Sequence, residues 1–151
     1  MTPPQALFFD ASILIGLFNK DRSEMDLADQ AFKYADTLPH AARLVVTPCL
    51  VELFFKTRKI LAPKDIQYNF RLLNIELYPT TETRERELFK KYCESTYKKE
   101  YDFADFYMCA VALDFNPTEI LTLDRDDIGL AMSRAHGTFS KKPHFNIRQF
   151  P

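Results

Sequence analysis

Carboxylates stand directly after two short apolar segments of this sequence. Asp10 follows the run Ala6–Phe9, and Asp124 follows the run Glu119–Leu123. Apolar runs of this length are typical of buried strands in a parallel sheet. Because sites in open α/β sheets form outside the carboxyl ends of the strands, we predict that Asp10 and Asp124 lie where chemistry takes place.

A third acid, Glu52, interrupts an apolar helical segment. The helix predicted over Cys49–Lys56 gives Glu52 no polar neighbour within two positions. A helix that follows a strand begins at the carboxyl edge of that strand, so Glu52, after the strand Leu44–Val46, is expected near the same edge. A face that exposes Glu52 also exposes large apolar groups. A buried ion pair with Arg58 or Lys59 is the structural alternative, because a buried carboxylate must be paired or lose its charge.

Asp102 and Asp105 open a helix that runs to Leu113. Their spacing of three residues puts them on one face of the first turn. Asp102 also suits the N-cap position, with Asp105 as a capping-box-like partner. Asp105 reaches the site if the helix predicted over Thr81–Tyr97 runs away from this edge and the next helix starts back at it, a step that the sequence leaves open.

Several carboxylates gathered in one place repel one another, so they need a cation. All-oxygen ligands favour a hard metal such as Mg²⁺ or Mn²⁺. One or two such ions can activate water and stabilise an in-line displacement at phosphorus. In this interpretation Asp10 and Asp124 bind the metal, and Glu52 and Asp105 complete or orient its shell.

Some residues next to these acids are candidate accessory groups. Ser12 and Thr122 each lie two residues from a strand-end Asp, and Thr122 could hold a carboxylate by a hydrogen bond. Ser12 equally suits a helix N-cap, and Thr122 an ordinary strand position. Asp126 is a possible further ligand or a solvated turn acid. Asp10 itself could cap the next helix, and Asp124 could be a turn residue.

Predicted strands and helices alternate along the chain. The strands are predicted at Ala6–Phe9, Leu44–Val46, Ile75–Tyr78 and Glu119–Leu123 and from Phe145 onward. The helices are predicted at Ala11–Phe18, Ser23–Thr37, Cys49–Lys56 with Thr47 as N-cap, Lys64–Leu73, Thr81–Tyr97 and Asp102–Leu113. This alternation predicts an α/β fold with a mainly parallel sheet, as one domain over residues 1–151.

Composition excludes several classes of protein. The chain has 46% hydrophobic and 27% charged residues and a net charge of −1, which is ordinary for a soluble globular protein and gives no global attraction to nucleic acid. Three widely spaced cysteines predict neither a disulfide framework nor a metal motif, and three histidines show no ligand spacing. With no signal peptide or membrane span apparent, we expect a cytoplasmic protein.

Four segments in order resemble the motifs of PIN-domain nucleases, and especially of VapC-type toxins from toxin–antitoxin pairs. They are Phe9–Leu14, Thr47–Leu53, Asp102–Ala112 and Leu121–Asp126. Each motif alone is unspecific, but the ordered set is fairly specific and spans nearly the whole chain. One departure is Phe106, which stands where the family has Ala and is expected to crowd that turn.

The resemblance implies a three-layer α/β/α fold, a Mg²⁺ or Mn²⁺ site and metal-dependent endoribonuclease activity. By this carry-over the acidic quartet comprises Asp10, Glu52, Asp105 and Asp124, with Asp102 and Asp126 as possible extras. It also implies a homodimer and a cognate antitoxin protein that blocks the site. Toxin and housekeeping RNA-processing roles are both open.

RNA must also be held, and several residues are candidates for this. Phosphate contacts are predicted among Lys90, Lys91, Lys98, Lys99, Arg134, Lys141 and Lys142, and base stacking on Tyr92, Tyr97 or Tyr101. For each of them a solvated helix face is the favoured alternative. The alternative function is a non-enzymatic PIN-like module that binds RNA or protein through an impaired site. A receiver-type signalling domain would need a phosphoacceptor Asp on a middle strand and a Lys near a late one, and neither is apparent.

Overall fold

The computed structural model of the chain describes residues 3–18, 22–95, 102–115, 117–124, 131 and 145–149. Its strands are β1 (Ala6–Phe9), β2 (Ala42–Val45), β3 (Ile75–Leu77), β4 (Thr118–Thr122) and β5 (Phe145–Gln149). Its helices are α1 (Ala11–Phe18), α2 (Arg22–Asp36), α3 (Thr47–Thr57), α4 (Pro63–Leu72), α5 (Glu82–Ser95) and α6 (Phe103–Ala112).

The five strands form one sheet in the order β3-β2-β1-β4-β5, and every neighbouring pair is parallel. The chain builds the sheet outward from β1 through β2 to β3, and then returns to the other side of β1 with β4. The strand order therefore reverses between β1 and β4, which makes their carboxyl ends the switch point where open α/β sheets bind ligands. The predicted α/β class with a mainly parallel sheet is confirmed.

Both faces of the central strand β1 are covered. Its four residues are fully buried, and successive side chains point to opposite faces. Phe9 stacks on Phe32 of α2 with ring centroids 5.0 Å apart, whereas Phe8 contacts Phe115 at 5.7 Å and Tyr78 at 6.0 Å. Burial on both faces explains the continuous apolar run and agrees with the predicted three-layer α/β/α arrangement.

The predicted elements are all present, with ends shifted by no more than about two residues, but two predicted N-caps are wrong. The N-cap of α3 is the extended Val46, and Thr47 already belongs to the helix with Pro48 in its first turn. Proline removes one of the free N–H groups there, so a capping side chain has less to satisfy. Ser12 lies inside the first turn of α1 and has other hydrogen-bond partners. Asp102 does cap α6, since its carboxylate accepts the Asp105 N–H at 2.9 Å.

An ion pair between the buried Glu119 and the half-exposed Arg148 was not predicted. Glu119 of β4 is only 7% exposed. It accepts a hydrogen bond of 2.6 Å from the Tyr34 hydroxyl and one of 2.9 Å from Arg148 Nε on β5. The Arg148 guanidinium carbon also lies 4.0 Å from the centre of the Tyr34 ring. Burial and the bond to Glu119 raise the pKa of Tyr34 to about 12, so its hydroxyl remains a donor.

Loss of the Arg148 charge is expected to destabilise the fold. Arg148→Met keeps an apolar stem but leaves the Glu119 carboxylate buried with one donor, at a cost of about 1–3 kcal/mol given that Arg148 is partly exposed. The free energy of unfolding in urea measures this. The control is Arg86→Met, whose pair with Glu82 is exposed and should contribute less than about 0.5 kcal/mol. Equal losses in the two variants would contradict the assignment.

Among the described residues, no helix combines the length and apolar character needed to cross a membrane.

Candidate active site

An acidic cavity of about 370 Å³ opens at the switch point between the ends of β1 and β4. The described residues that line it are Asp10, Ser12, Ile15, Glu24, Glu52, Asp102, Asp105, Leu123 and Asp124. The structure therefore brings together all four acids that the sequence predicts for the site, with the accessory candidates Asp102 and Ser12. Thr122 lies directly beneath, and Asp126 is outside the described residues.

Two hydroxyl groups fix the carboxylate of Asp10. Ser12 Oγ and Thr122 Oγ1 both donate to Asp10 Oδ2, each at 2.7 Å. Each hydroxyl also accepts a backbone N–H: Ser12 from Leu123 at 3.0 Å, and Thr122 from Asp124 at 2.8 Å. Because each hydroxyl has a single hydrogen, these bonds set the direction of both donors. The same groups thus orient Asp10 and attach the backbone that carries Asp124.

Thr122→Val is expected to loosen this arrangement. The variant keeps the shape but removes one donor to Asp10 and the acceptor of the Asp124 N–H, so we expect about 1–3 kcal/mol of lost stability. Loss of a hydrogen bond that orients a ligand typically lowers metal affinity or activity about 10–100-fold. Titration of Mn²⁺ and urea unfolding measure the two effects.

The same strand provides a matched control. Thr118 is also buried, and its hydroxyl has no hydrogen-bond partner within the described part of the chain. Thr118→Val should therefore leave metal affinity unchanged and be neutral or stabilising. If the two variants behaved alike, the role given to Thr122 would be wrong.

Burial and mutual repulsion make it unfavourable to ionise these acids together. The pKa of Asp105 is raised to about 8, first by burial and then by the charges of Asp10, Asp102 and Glu52. Burial also raises the pKa of Asp10 and of Glu52, while Lys56 opposes the shift of Glu52. The cavity therefore favours bound protons or a bound cation.

The donor set fits a hard divalent cation. The lining polar side chains are carboxylates and one hydroxyl, which are oxygen ligands of the kind Mg²⁺ and Mn²⁺ prefer. No three of the described His, Cys, Asp and Glu side chains are already gathered in a metal-ligating cluster. The carboxylates instead line the walls of the cavity, from which Asp10, Asp105, Glu52 and Asp124 could hold an ion.

Sequence reasoning missed Glu24, which lines the cavity from the first turn of α2. The local sequence does not distinguish it from the solvated acids that follow it on the same helix. Gly16 of α1 is the one available signal, since a Cβ built there would lie 3.1 Å from the Glu24 carbonyl oxygen. A side chain at position 16 would push α2 away, so glycine permits the close packing that brings Glu24 to the site.

The predicted crowding by Phe106 is not observed. Phe106 is fully buried, and its ring packs on Tyr92 of α5 with centroids 5.6 Å apart, while Asp105 remains in the cavity. Tyr92 also contacts Phe103, with centroids 5.3 Å apart. The prediction that Tyr92 stacks on a base therefore conflicts with its place in this aromatic cluster.

Most of the predicted RNA contacts fall outside the described residues: Tyr97, Lys98, Lys99, Tyr101, Arg134, Lys141 and Lys142. Lys90 and Lys91 are described and lie on α5, where Lys90 is 3.9 Å from Glu94. Neither of these two lysines lines the acidic cavity.

No protein-family model matches the chain, and no curated protein is significantly similar to it in sequence. The acidic cavity and the short motifs that resemble those of PIN-domain nucleases are therefore the features that bear on its function.

Proposed function

We propose that this protein is a Mg²⁺- or Mn²⁺-dependent endoribonuclease that hydrolyses phosphodiester bonds in the acidic cavity. The observation that carries the proposal is the convergence of Asp10, Glu52, Asp105 and Asp124 at the switch point of a parallel sheet. The four motifs that resemble PIN-domain nucleases supply the same four acids, which favours this activity over other uses of an acidic pocket.

Charge explains why this reaction needs a cation. A phosphodiester is anionic, and an acidic cavity alone would repel it. A bound divalent ion supplies the positive charge that attracts the phosphate and activates water for in-line attack. The chain supplies an oxygen-lined pocket for that ion, and the hydroxyls of Ser12 and Thr122 hold Asp10 in one orientation.

The carboxylates divide into two groups by environment. Asp10 is buried and rigidly hydrogen-bonded, which suits a permanent ligand. Glu52 and Asp105 are half-buried and lack these two hydroxyl donors. Burial raises the pKa of all three acids, so a bound cation would displace protons from them. Asp102 is engaged as the N-cap of α6 and positions Asp105.

The resemblance extends the proposal to biology. We infer that the chain is the toxin of a toxin–antitoxin pair, that it acts in the cytoplasm as a homodimer, and that a cognate antitoxin blocks its cavity. Size-exclusion chromatography with light scattering tests the dimer. Rescue of growth by an adjacent small reading frame tests the antitoxin.

Cleavage of RNA by the purified chain tests the activity. A mixed RNA pool and a covalently closed circular RNA are incubated with Mg²⁺, with Mn²⁺ and with EDTA. We expect cleavage with either metal and none in EDTA, and opening of the circle identifies an endonuclease. Absence of cleavage of both RNAs by folded protein that binds Mn²⁺ would favour the binding-module alternative, whereas cleavage in EDTA would contradict the mechanism.

A further inference from the structure

The outer side of α3 exposes a large apolar surface next to the cavity. Val51 and Phe55 are 62% and 58% exposed. With Phe103 they line an open groove. Glu52 and Asp102 line both this groove and the acidic cavity, so the groove continues directly from the site. The fold does not require these exposed side chains, since exposure of large apolar groups costs free energy.

Three exposed cations follow at the end of the same helix: Lys56, Arg58 and Lys59. Lys56 lies four residues after Glu52, so helical spacing places it on the same side of α3, about 6 Å further along the helix. Arg58 is the C-cap of α3, and Lys59 follows in the turn after the helix. Neither lysine forms an ion pair with another described residue. Lys56 lowers the pKa of Glu52 by its charge, so positive charge at this end of α3 reaches the edge of the acidic site.

Arg58 and Phe55 form a preorganised pair. The Arg58 guanidinium carbon lies 4.0 Å from the centre of the Phe55 ring, and Arg58 Nη1 donates to the Phe55 carbonyl at 2.6 Å. Unpaired bases stack on aromatic rings and on guanidinium planes, whereas the bases of a duplex already stack on each other. This pair is therefore suited to an unpaired base.

We propose that these four residues, which we call the α3 track (Phe55, Lys56, Arg58 and Lys59), bind single-stranded RNA that extends from the acidic cavity. An unpaired base stacks on the Phe55–Arg58 pair, and the lysines contact the neighbouring phosphates. This inference rests on the proposed nuclease function.

Charge complementarity with the cations of the α3 track selects RNA as the occupant. The chain has a net charge of −1, so an RNA strand that leaves an acidic cavity needs a local cationic surface. The α3 track provides one that is continuous with the site. The groove itself is lined by the carboxylates Glu52, Glu85 and Asp102 and shares only Phe55 with the track, so the phosphates contact the track at the end of α3 and not in the groove.

Binding of a fluorescent oligoribonucleotide to the full chain in EDTA tests the α3 track without cleavage. Phe55→Ala should weaken binding about tenfold, whereas Phe55→Tyr should keep it. The double variant Lys56→Gln/Lys59→Gln should reduce the slope of log affinity against log salt by about 1.4, at roughly 0.7 per phosphate contact. A merely structural role for the lysines would not change this slope.

Two control variants match these changes elsewhere on the surface. Tyr68→Ala removes an aromatic residue of α4 that is 61% exposed, and Lys33→Gln/Lys64→Gln removes two exposed charges, one from α2 and one from α4. Both should bind like the unmodified chain. Effects as large as those of the α3 variants, or no binding by the unmodified chain, would overturn the proposal. So would a Phe55→Ala variant that changes the oligomeric state but not RNA affinity, because the groove would then be a protein interface.

Different results would reject the α3 track and the nuclease function. Binding that depends on the track, without cleavage in Mg²⁺ or Mn²⁺, would retain the track and reject the nuclease. Metal-dependent cleavage with an unchanged KM in Phe55→Ala and in the lysine double variant would retain the nuclease and reject the track.

Discussion

Asp10→Asn should lower RNA cleavage by a factor on the order of 1,000 and, at the same time, stabilise the metal-free protein. A bound divalent ion supplies several kcal/mol of charge stabilisation in the transition state. Loss of about 4 kcal/mol corresponds to roughly a thousandfold in rate. Initial rates of cleavage with saturating Mn²⁺ measure the first effect, and thermal unfolding in EDTA measures the second.

The substitution keeps the local hydrogen bonds and changes the charge. The amide oxygen of Asn can accept the hydroxyls of Ser12 and Thr122 that now donate to Asp10 Oδ2. The amide nitrogen then replaces a carboxylate oxygen and cannot bind a cation. Burial raises the pKa of Asp10, so ionising this carboxyl costs free energy when no cation is bound. A neutral residue removes this cost, and each kcal/mol gained raises the Tm by about 2–4 °C.

Asp29→Asn is the control for this experiment. Asp29 is exposed on α2 and does not line the cavity, so the variant changes the net charge of the chain equally. It should cleave RNA like the unmodified protein and have the same Tm. If Asp10→Asn retained most of the activity, the catalytic site would have to lie elsewhere.

The site residues that the sequence predicted most directly are those that stand at the ends of strands. Asp10 and Asp124 could be placed because parallel strands share a carboxyl edge, whatever their order in the sheet. The adjacency of β1 and β4 is a further fact that the sequence did not contain. Because β1 and β4 are neighbours, Thr122 on β4 can donate a hydrogen bond to Asp10, which directly follows β1.

Glu52 shows where local patterning was sufficient and where it was not. The helix does expose Val51 and Phe55 beside it, as the apolar neighbours of Glu52 predicted. The alternative of an ion pair with Arg58 is wrong, because Arg58 lies against the Phe55 ring instead. A sequence pattern shows that Glu52 is unusual. Whether its side chain faces solvent, lines a pocket or forms an ion pair depends on the elements that pack around the helix.

The residues that were missed are held by non-local contacts. Glu119 stands in a strand that was predicted as buried, and only the packing of Tyr34 and the pairing of β5 make a carboxylate acceptable there. Glu24 reaches the cavity through the packing of α2 against Gly16. Neither partnership has a periodic signal in the sequence, since its members are distant along the chain or belong to different elements.

Asp105 should make the metal-free protein less stable as the pH rises from about 4 to about 8. Its carboxyl loses a proton near pH 3.8 in the unfolded chain, but in the folded protein its pKa is raised to about 8. Between these values the folded state binds the extra proton, so stability falls with rising pH. The full difference is a few kcal/mol, reduced because solvent screens a half-buried group. Urea unfolding in EDTA at several pH values measures this.

Asp105→Asn should flatten this pH dependence. The variant has no proton to lose at this position, so it should be more stable than the unmodified chain at pH 8 and closer to it at pH 5. The difference between the two proteins isolates the contribution of position 105 from that of every other group. Asp29→Asn again serves as the control and should follow the unmodified chain at every pH.

A bound cation should reverse the pH dependence. Because a metal binds the ionised carboxylates, protons compete with it, and stabilisation by Mn²⁺ should increase from pH 5 to pH 8. At a free concentration of 100 times Kd the gain is about 2.7 kcal/mol. The increase should be smaller in Asp105→Asn, where Asp10 and Glu52 still exchange protons for the metal, and unchanged in Asp29→Asn. Stabilisation by Mn²⁺ that was equal at pH 5 and pH 8 would place the ion away from these carboxylates. So would an increase with pH that was as large in Asp105→Asn as in the unmodified chain. The reason is that only groups that exchange protons for metal link metal binding to proton binding.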